Sequence, residues 1–206
     1  MDVEDTTPPR FSYCGCDVLD GKLRILFREK NLGTNLDHAA NEENLTKALT
    51  EAPSDAPLNF LARKGIRTDY DAKIAGTRKK IADLLGKSAD AITLTPNFEA
   101  NFTKLTGNKD VRDDWQNNLG NFTFLYFDAV PWSLKNMNAA DDEMIREGVL
   151  EAVSTNEYSF RIVDKLQGDS SYCECVVEDG ILFLQTTPSS FGTNVDYVAQ
   201  KLMDLL

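Results

Sequence analysis

Residues 171–180 read SYCECVVEDG, and residues 12–21 read SYCGCDVLDG. The same offset carries on without a gap from Gly33-Thr34-Asn35-Leu36-Asp37 to Gly192-Thr193-Asn194-Val195-Asp196, and Ala40 and Ala199 continue it. Two separated blocks in one register are hard to obtain by chance, so the two ends of the chain, 11–50 and 170–206, read as copies of one β-hairpin-plus-helix unit. Asp20-Gly21 and Asp179-Gly180 are type I′ turn signals, because both central residues of that turn take positive φ. A two-residue turn fixes the pairing. Cys14 then faces Phe27, Cys16 faces Ile25 and Val18 faces Leu23. In the second copy Cys173 faces Thr186, Cys175 faces Leu184 and Val177 faces Leu182. Alternation puts each cysteine pair on the apolar face. Tyr13, Asp17 and Arg24, or Tyr172, Glu174 and Gln185, fall on the face expected to be less buried.

Past each hairpin, Thr34 and Thr193 are expected N-caps, with Asp37 and Asp196 in the first turn. Val195, Val198, Ala199, Leu202 and Leu205 then outline an amphipathic helix that ends the chain. The matching helix over 35–50 is interrupted by Asn41, Glu42, Glu43 and Asn44.

Between the copies, 52–67 reads as a connection and 69–85 as the clearest helix, with Tyr70, Ile74 and Ile81 on one side and Gly86 as its stop. Ile92-Thr93-Leu94 predicts a short strand, and Thr95-Pro96 opens a helix through Phe98, Phe102 and Leu105. A helix over about 109–118 is expected to end near Gly120. The run NFTFLYF at 121–127 is apolar on both faces and reads as a central strand, with the chain interrupted soon after it at Pro131. Asn138 and Asp141 open a helix bearing Met144, Ile145, Val149 and Val153. Strands over 158–164, 170–177 and 181–187 complete an α+β fold, an antiparallel sheet covered by helices. The organisation expected is a disordered acidic tail over 1–10 and one compact domain over 11–206.

The chain has 206 residues, 42% of them apolar and 27% charged, with a formal net charge of −11. That charge repels phosphate backbones and anionic lipid surfaces, so neither a nucleic-acid nor a membrane partner is expected. A neutral or cationic small molecule, or a protein, suits it better, and self-association is a further option. The start, MDVEDTTPPR, lacks the apolar centre of a secretory signal, and no run nears the roughly eighteen apolar residues of a membrane span. The expected location is cytoplasmic. Asn44-Leu45-Thr46, Asn101-Phe102-Thr103 and Asn121-Phe122-Thr123 match the glycosylation pattern, a short pattern that often arises by chance.

Four cysteines are the sharpest chemical candidates. A C-x-C pair in a strand points both sulfurs to one face, about 6–7 Å apart. Cys14 and Cys16 facing Cys173 and Cys175 would supply the four ligands of a tetrahedral zinc shell, whereas small buried thiols simply fill space beside Ile25, Phe27, Leu182 and Leu184. Space-filling is the expectation, and no metal or other cofactor is assigned. His38, the only histidine, stands where the second copy has Tyr197, and is a weak candidate for a general base. Trp132, Tyr126, Trp115 and Tyr158 are the expected ligand- or partner-binding residues, with Pro131-Trp132 in a loop that lines a pocket or anchors a partner. The function expected is binding of a small ligand or a protein. One alternative is a metal-independent enzyme with an Asp/Glu–Tyr acid–base pair, and another is a self-assembling structural protein.

Overall fold

A computed structural model describes residues 58–206, together with the strand backbone of 14–19 and 22–27. Contacts divide the chain into two units, Met1–Leu61 and Ala62–Leu206. In the first, β1 (Cys14–Leu19) and β2 (Lys22–Phe27) pair antiparallel, with Cys14 opposite Phe27, Cys16 opposite Ile25 and Val18 opposite Leu23. That is the pairing expected from a reversal at Asp20-Gly21. The turn itself, the helix expected over 35–50, His38 and the Asn44 pattern lie outside the described residues.

The boundary between the units falls inside α1 (Phe60–Gly65), which runs into a π-helical turn (Ile66–Asp71), and α2 (Ile74–Leu84) comes after it. The single helix expected over 69–85 is therefore broken after the π turn, although Tyr70, Ile74, Ile81 and Leu85 are buried. Gly86 ends α2 at φ 64°, in the left-handed region that glycine tolerates. The short strand β3 (Thr93–Thr95) and α3 (Phe98–Thr106) come next.

The run at 121–127 is not a strand. It lies inside α4 (Trp115–Asn136), a helix of 22 residues. Trp115, Leu119, Phe122, Tyr126, Val130 and Leu134 are buried at steps of three and four, and Phe127 is buried beside Tyr126. The run is apolar on both sides because α4 is covered on several sides: Tyr70 meets Phe127 at 6.1 Å, Phe191 meets Phe122 at 5.4 Å and Phe160 stacks on Tyr126 at 4.6 Å between ring centroids. Gly120 does not end a helix but lies within this one, and so does Pro131.

The α5 helix (Glu143–Ala152) is capped by Asp142, whose carboxylate accepts from the amides of Met144 and Ile145. Met144 itself points to solvent, against the apolar stripe expected of it, while Val149 and Val153 are buried. Strands β4 (Glu157–Ile162), β5 (Cys173–Glu178) and β6 (Ile181–Thr186) complete a four-stranded sheet in the order β3-β4-β6-β5. The sheet is mixed rather than antiparallel. β3 and β6 both run parallel to β4, and only the β5–β6 hairpin is antiparallel. Its register sets Cys173 opposite Thr186, Cys175 opposite Leu184 and Val177 opposite Leu182. The turn has positive φ at both Asp179 (50°) and Gly180 (75°), as the Asp-Gly pair requires.

Beyond β3, the edge of β4 is completed by side chains. Asn97 and Asn101 donate to the Phe160 carbonyl at 3.1 and 3.2 Å, Asn101 accepts from the Ile162 amide at 2.8 Å, and Lys104 donates to the Ile162 carbonyl at 2.9 Å. Backbone groups that β3 is too short to reach thus find partners. Asn101 is buried with both polar atoms engaged, so its N-x-T pattern offers no glycan site on the folded protein.

The chain does not end in one amphipathic helix. It ends in two 3₁₀ turns, Val195–Tyr197 and Leu202–Leu205. Asn194, at φ 49° and with no side-chain capping bond, precedes the first, in place of the expected Thr193 cap. The periodic burial survives this change: Val195, Val198, Ala199 and Leu202 are all buried, and Ser133 of α4 donates to the Ala199 carbonyl at 2.6 Å. Among the described residues no helix is long and apolar enough to cross a membrane.

Candidate functional site

The four aromatic residues expected to form a site do not converge. Trp115 and Trp132 sit at opposite ends of α4, about 25 Å apart along its axis. Trp115 packs on Phe102, with ring centroids 5.0 Å apart, and is buried. Tyr126 is fully buried, and its hydroxyl accepts from the Gly192 amide at 3.1 Å. Tyr158 is buried within β4, and burial drives its phenol, like those of Tyr70 and Tyr126, well above the ordinary value. Trp132 alone is exposed, on a helix rather than in a loop.

Cys173 and Cys175 are buried and unbridged on the face of β5 that meets the C-terminal turns. The Cys173 thiol donates to the Asn194 carbonyl at 3.4 Å. Burial pushes both thiols up to about 12, so neither supplies a thiolate near neutral pH. Among the described residues no three His, Cys, Asp or Glu side chains gather as a metal site. The side chains of Cys14 and Cys16 are not among those described.

The opposite face of the hairpin differs from expectation: Glu174 and Gln185 are buried. They belong to a closed polar network. Glu174 accepts from the Gln167 and Gly168 amides at 2.6 and 2.9 Å and from the Gln185 amide nitrogen at 2.6 Å. Arg161 donates to Gln185 at 2.8 Å, grips both Glu178 oxygens at 2.8 and 2.7 Å, and lies 4.0 Å from the Phe183 ring centroid. Such a paired, fully bonded arrangement lets an acid tolerate burial. Burial pushes the Glu174 carboxyl up, but the bonds from Gln167, Gln185 and Gly168, with the charge of Lys201, outweigh it and hold the group below its ordinary value. The Arg161 bonds do the same for Glu178.

A depressed carboxyl gives stability that is complete above the unfolded pKa, about 4.3 for Glu, and lost as pH falls through the lower folded value. Glu174→Gln turns an NH2 toward donors that need an acceptor. It is expected to cost about 1–3 kcal/mol at pH 7. Its deficit relative to the parent should shrink as pH falls below about 4, where the parent loses its own carboxylate. Urea unfolding midpoints across pH measure both effects.

Where β5 begins, its residues and the C-terminal turns line a half-open cavity of about 390 Å³. Tyr172 and Tyr197 line it and are 41% and 50% exposed, so their rings are open to an incoming molecule. Asp169, Ser171, Gln200 and Lys201 supply polar groups around them, and the Cys173–Glu174 segment is also part of the lining. None of these tyrosines or polar residues was singled out as a site from the sequence. The residues come from two stretches, 169–174 and 197–201, that meet only after the hairpin reverses the chain. Comparison with known proteins gives no match, whether to family models, to curated proteins or to solved structures.

Proposed function

We propose that this chain is a binding protein whose small ligand seats in the cavity between Tyr172 and Tyr197. The carrying observation is that cavity: about 390 Å³ is a ligand-sized volume, and two tyrosines share its lining with polar groups able to orient a ligand. The chemistry around it favours binding over catalysis. An acid–base enzyme of the Asp/Glu–Tyr type needs a carboxyl raised toward neutral pH beside the cavity. Glu174, the cavity's buried acid, moves the other way, and all its described bonds hold the anion in place. The adjoining thiol is pushed up to about 12, out of nucleophilic range.

The hairpins β1–β2 and β5–β6 share one register at the same sequence offset, which supports a duplicated unit as the origin of the two ends, and the cavity belongs to the second copy. Ligand-observed NMR with a fragment set tests the binding reading on the whole chain. Fragments are expected to bind the parent and to be lost in the Tyr172→Ala/Tyr197→Ala double variant, whose exposed positions leave its unfolding midpoint near that of the parent. Fragments that bind the double variant as well, or no binding to the parent at all, would overturn it.

A further inference from the structure

The geometry points to an organic cation, of the alkylammonium or quaternary ammonium class, as the ligand of the cavity flanked by Tyr172 and Tyr197. This rests on the binding reading above and adds the chemistry of the occupant. Phenol rings present a negative π face, and a cation gains most from such faces where water is partly excluded. Both tyrosines line the cavity and are about half exposed, so each leaves ring surface open to a cation.

The fixed charge around them has the matching sign. Asp169 and Glu174 line the cavity. Asp196 lies close enough to raise the Cys173 thiol, and Asp204 close enough to raise that of Cys175. Lys201 is the single cationic side chain of the lining, and its charge is directed in part at Glu174. The three bonds that Glu174 accepts favour its ionised form, so it adds a negative charge to the field at the cavity. The chain's net charge of −11 draws cations toward this surface and repels anions.

Calorimetric titration of the whole protein at low salt with choline, and with its uncharged isostere carrying a tert-butyl group in place of trimethylammonium, tests the assignment. Choline is expected to bind about tenfold more tightly than the isostere, and to lose about tenfold in Tyr197→Leu. Lys201→Gln, which removes the one repelling charge, is expected to tighten choline binding about threefold, and Asp169→Asn to weaken it by a similar factor. These are exposed positions, and circular dichroism verifies that each variant is folded. Equal binding of choline and isostere, both lost in Tyr197→Leu, would overturn the cation while leaving the binding reading intact. Choline binding unchanged in Tyr197→Leu would overturn both. No choline binding to the parent would overturn the cation, and the fragment experiment then decides the binding reading separately.

Discussion

Gly120→Ala is expected to lower stability by about 3 kcal/mol or more, at the upper end for overpacked sites. A methyl built on Gly120 runs into the carbonyl oxygen and carbon of Gly65 and comes within 2.6 Å of the Ile66 amide nitrogen. All three are backbone atoms at the junction of α1 and the π turn, so no side chain can swing aside. The reciprocal substitution, Gly65→Ala, meets the Asn117 carbonyl oxygen at 2.6 Å and should behave similarly. These two glycines let the π turn lie against α4, which brings Tyr70 to the Phe127 ring. Gly76, in the first turn of α2, has open space where its Cβ would be. Gly76→Ala should therefore stabilise by about 0.5–1 kcal/mol through helix propensity alone. Opposite signs at Gly120 and Gly76, read as urea midpoints of about 1 M or more downward and a smaller rise, separate close packing from propensity. A Gly120→Ala protein as stable as the parent would contradict the crossing.

Asn101→Leu is the second large effect, at about 3 kcal/mol. The leucine matches the volume but leaves the Ile162 amide without an acceptor, removes one of two donors to the Phe160 carbonyl and frees the Pro96 carbonyl. A buried polar group left unpaired costs about 1–3 kcal/mol, and the buried Ile162 amide has no water to turn to. Hydrogen exchange locates the damage. The Ile162 amide should exchange much faster in the variant, while amides of β6 paired in the middle of the sheet change only with global stability. An unchanged unfolding midpoint would remove Asn101 from the account of how β4 ends.

These two positions show which parts of the fold were legible in the sequence. The hairpins were, because Asp179-Gly180 determines a tight reversal locally and the register follows from chain geometry. The burial of Cys173 and Cys175 came from the same alternation. The 121–127 segment was not legible, because Phe122, Tyr126 and Phe127 are covered from different directions by Phe191, Phe160 and Tyr70. A helix buried on several sides has no polar face and reads like a strand in a short window. Its neighbours Trp115, Leu119, Val130 and Leu134 carry the helical spacing, and only the longer window reveals it. Strand direction was lost with it, since turning 121–127 into helix leaves β3 and β6 beside β4, both parallel to it. Glu174 and Gln185 looked like solvent-facing residues because polar side chains usually are. Their burial depends on Arg161 and on the Gln167 and Gly168 amides, contributions that no local pattern displays.

The cavity was hidden for a similar reason. Sequence patterns direct attention to Trp132 as an amphipathic anchor, yet Trp132 lies on α4 and is not among the residues that line the cavity. Tyr172 and Tyr197 are ordinary in their own neighbourhoods. They become a pair only once β5 and the C-terminal turns meet.

Amide NMR of the whole chain during a choline titration confronts the claim at the centre of this account, that the second hairpin and the closing turns form the ligand seat. Shifts that saturate together at 169–173 and 197–201, with the Trp132 indole unmoved, are the predicted result. Saturable shifts centred on Trp132, or none within those two stretches, would contradict it.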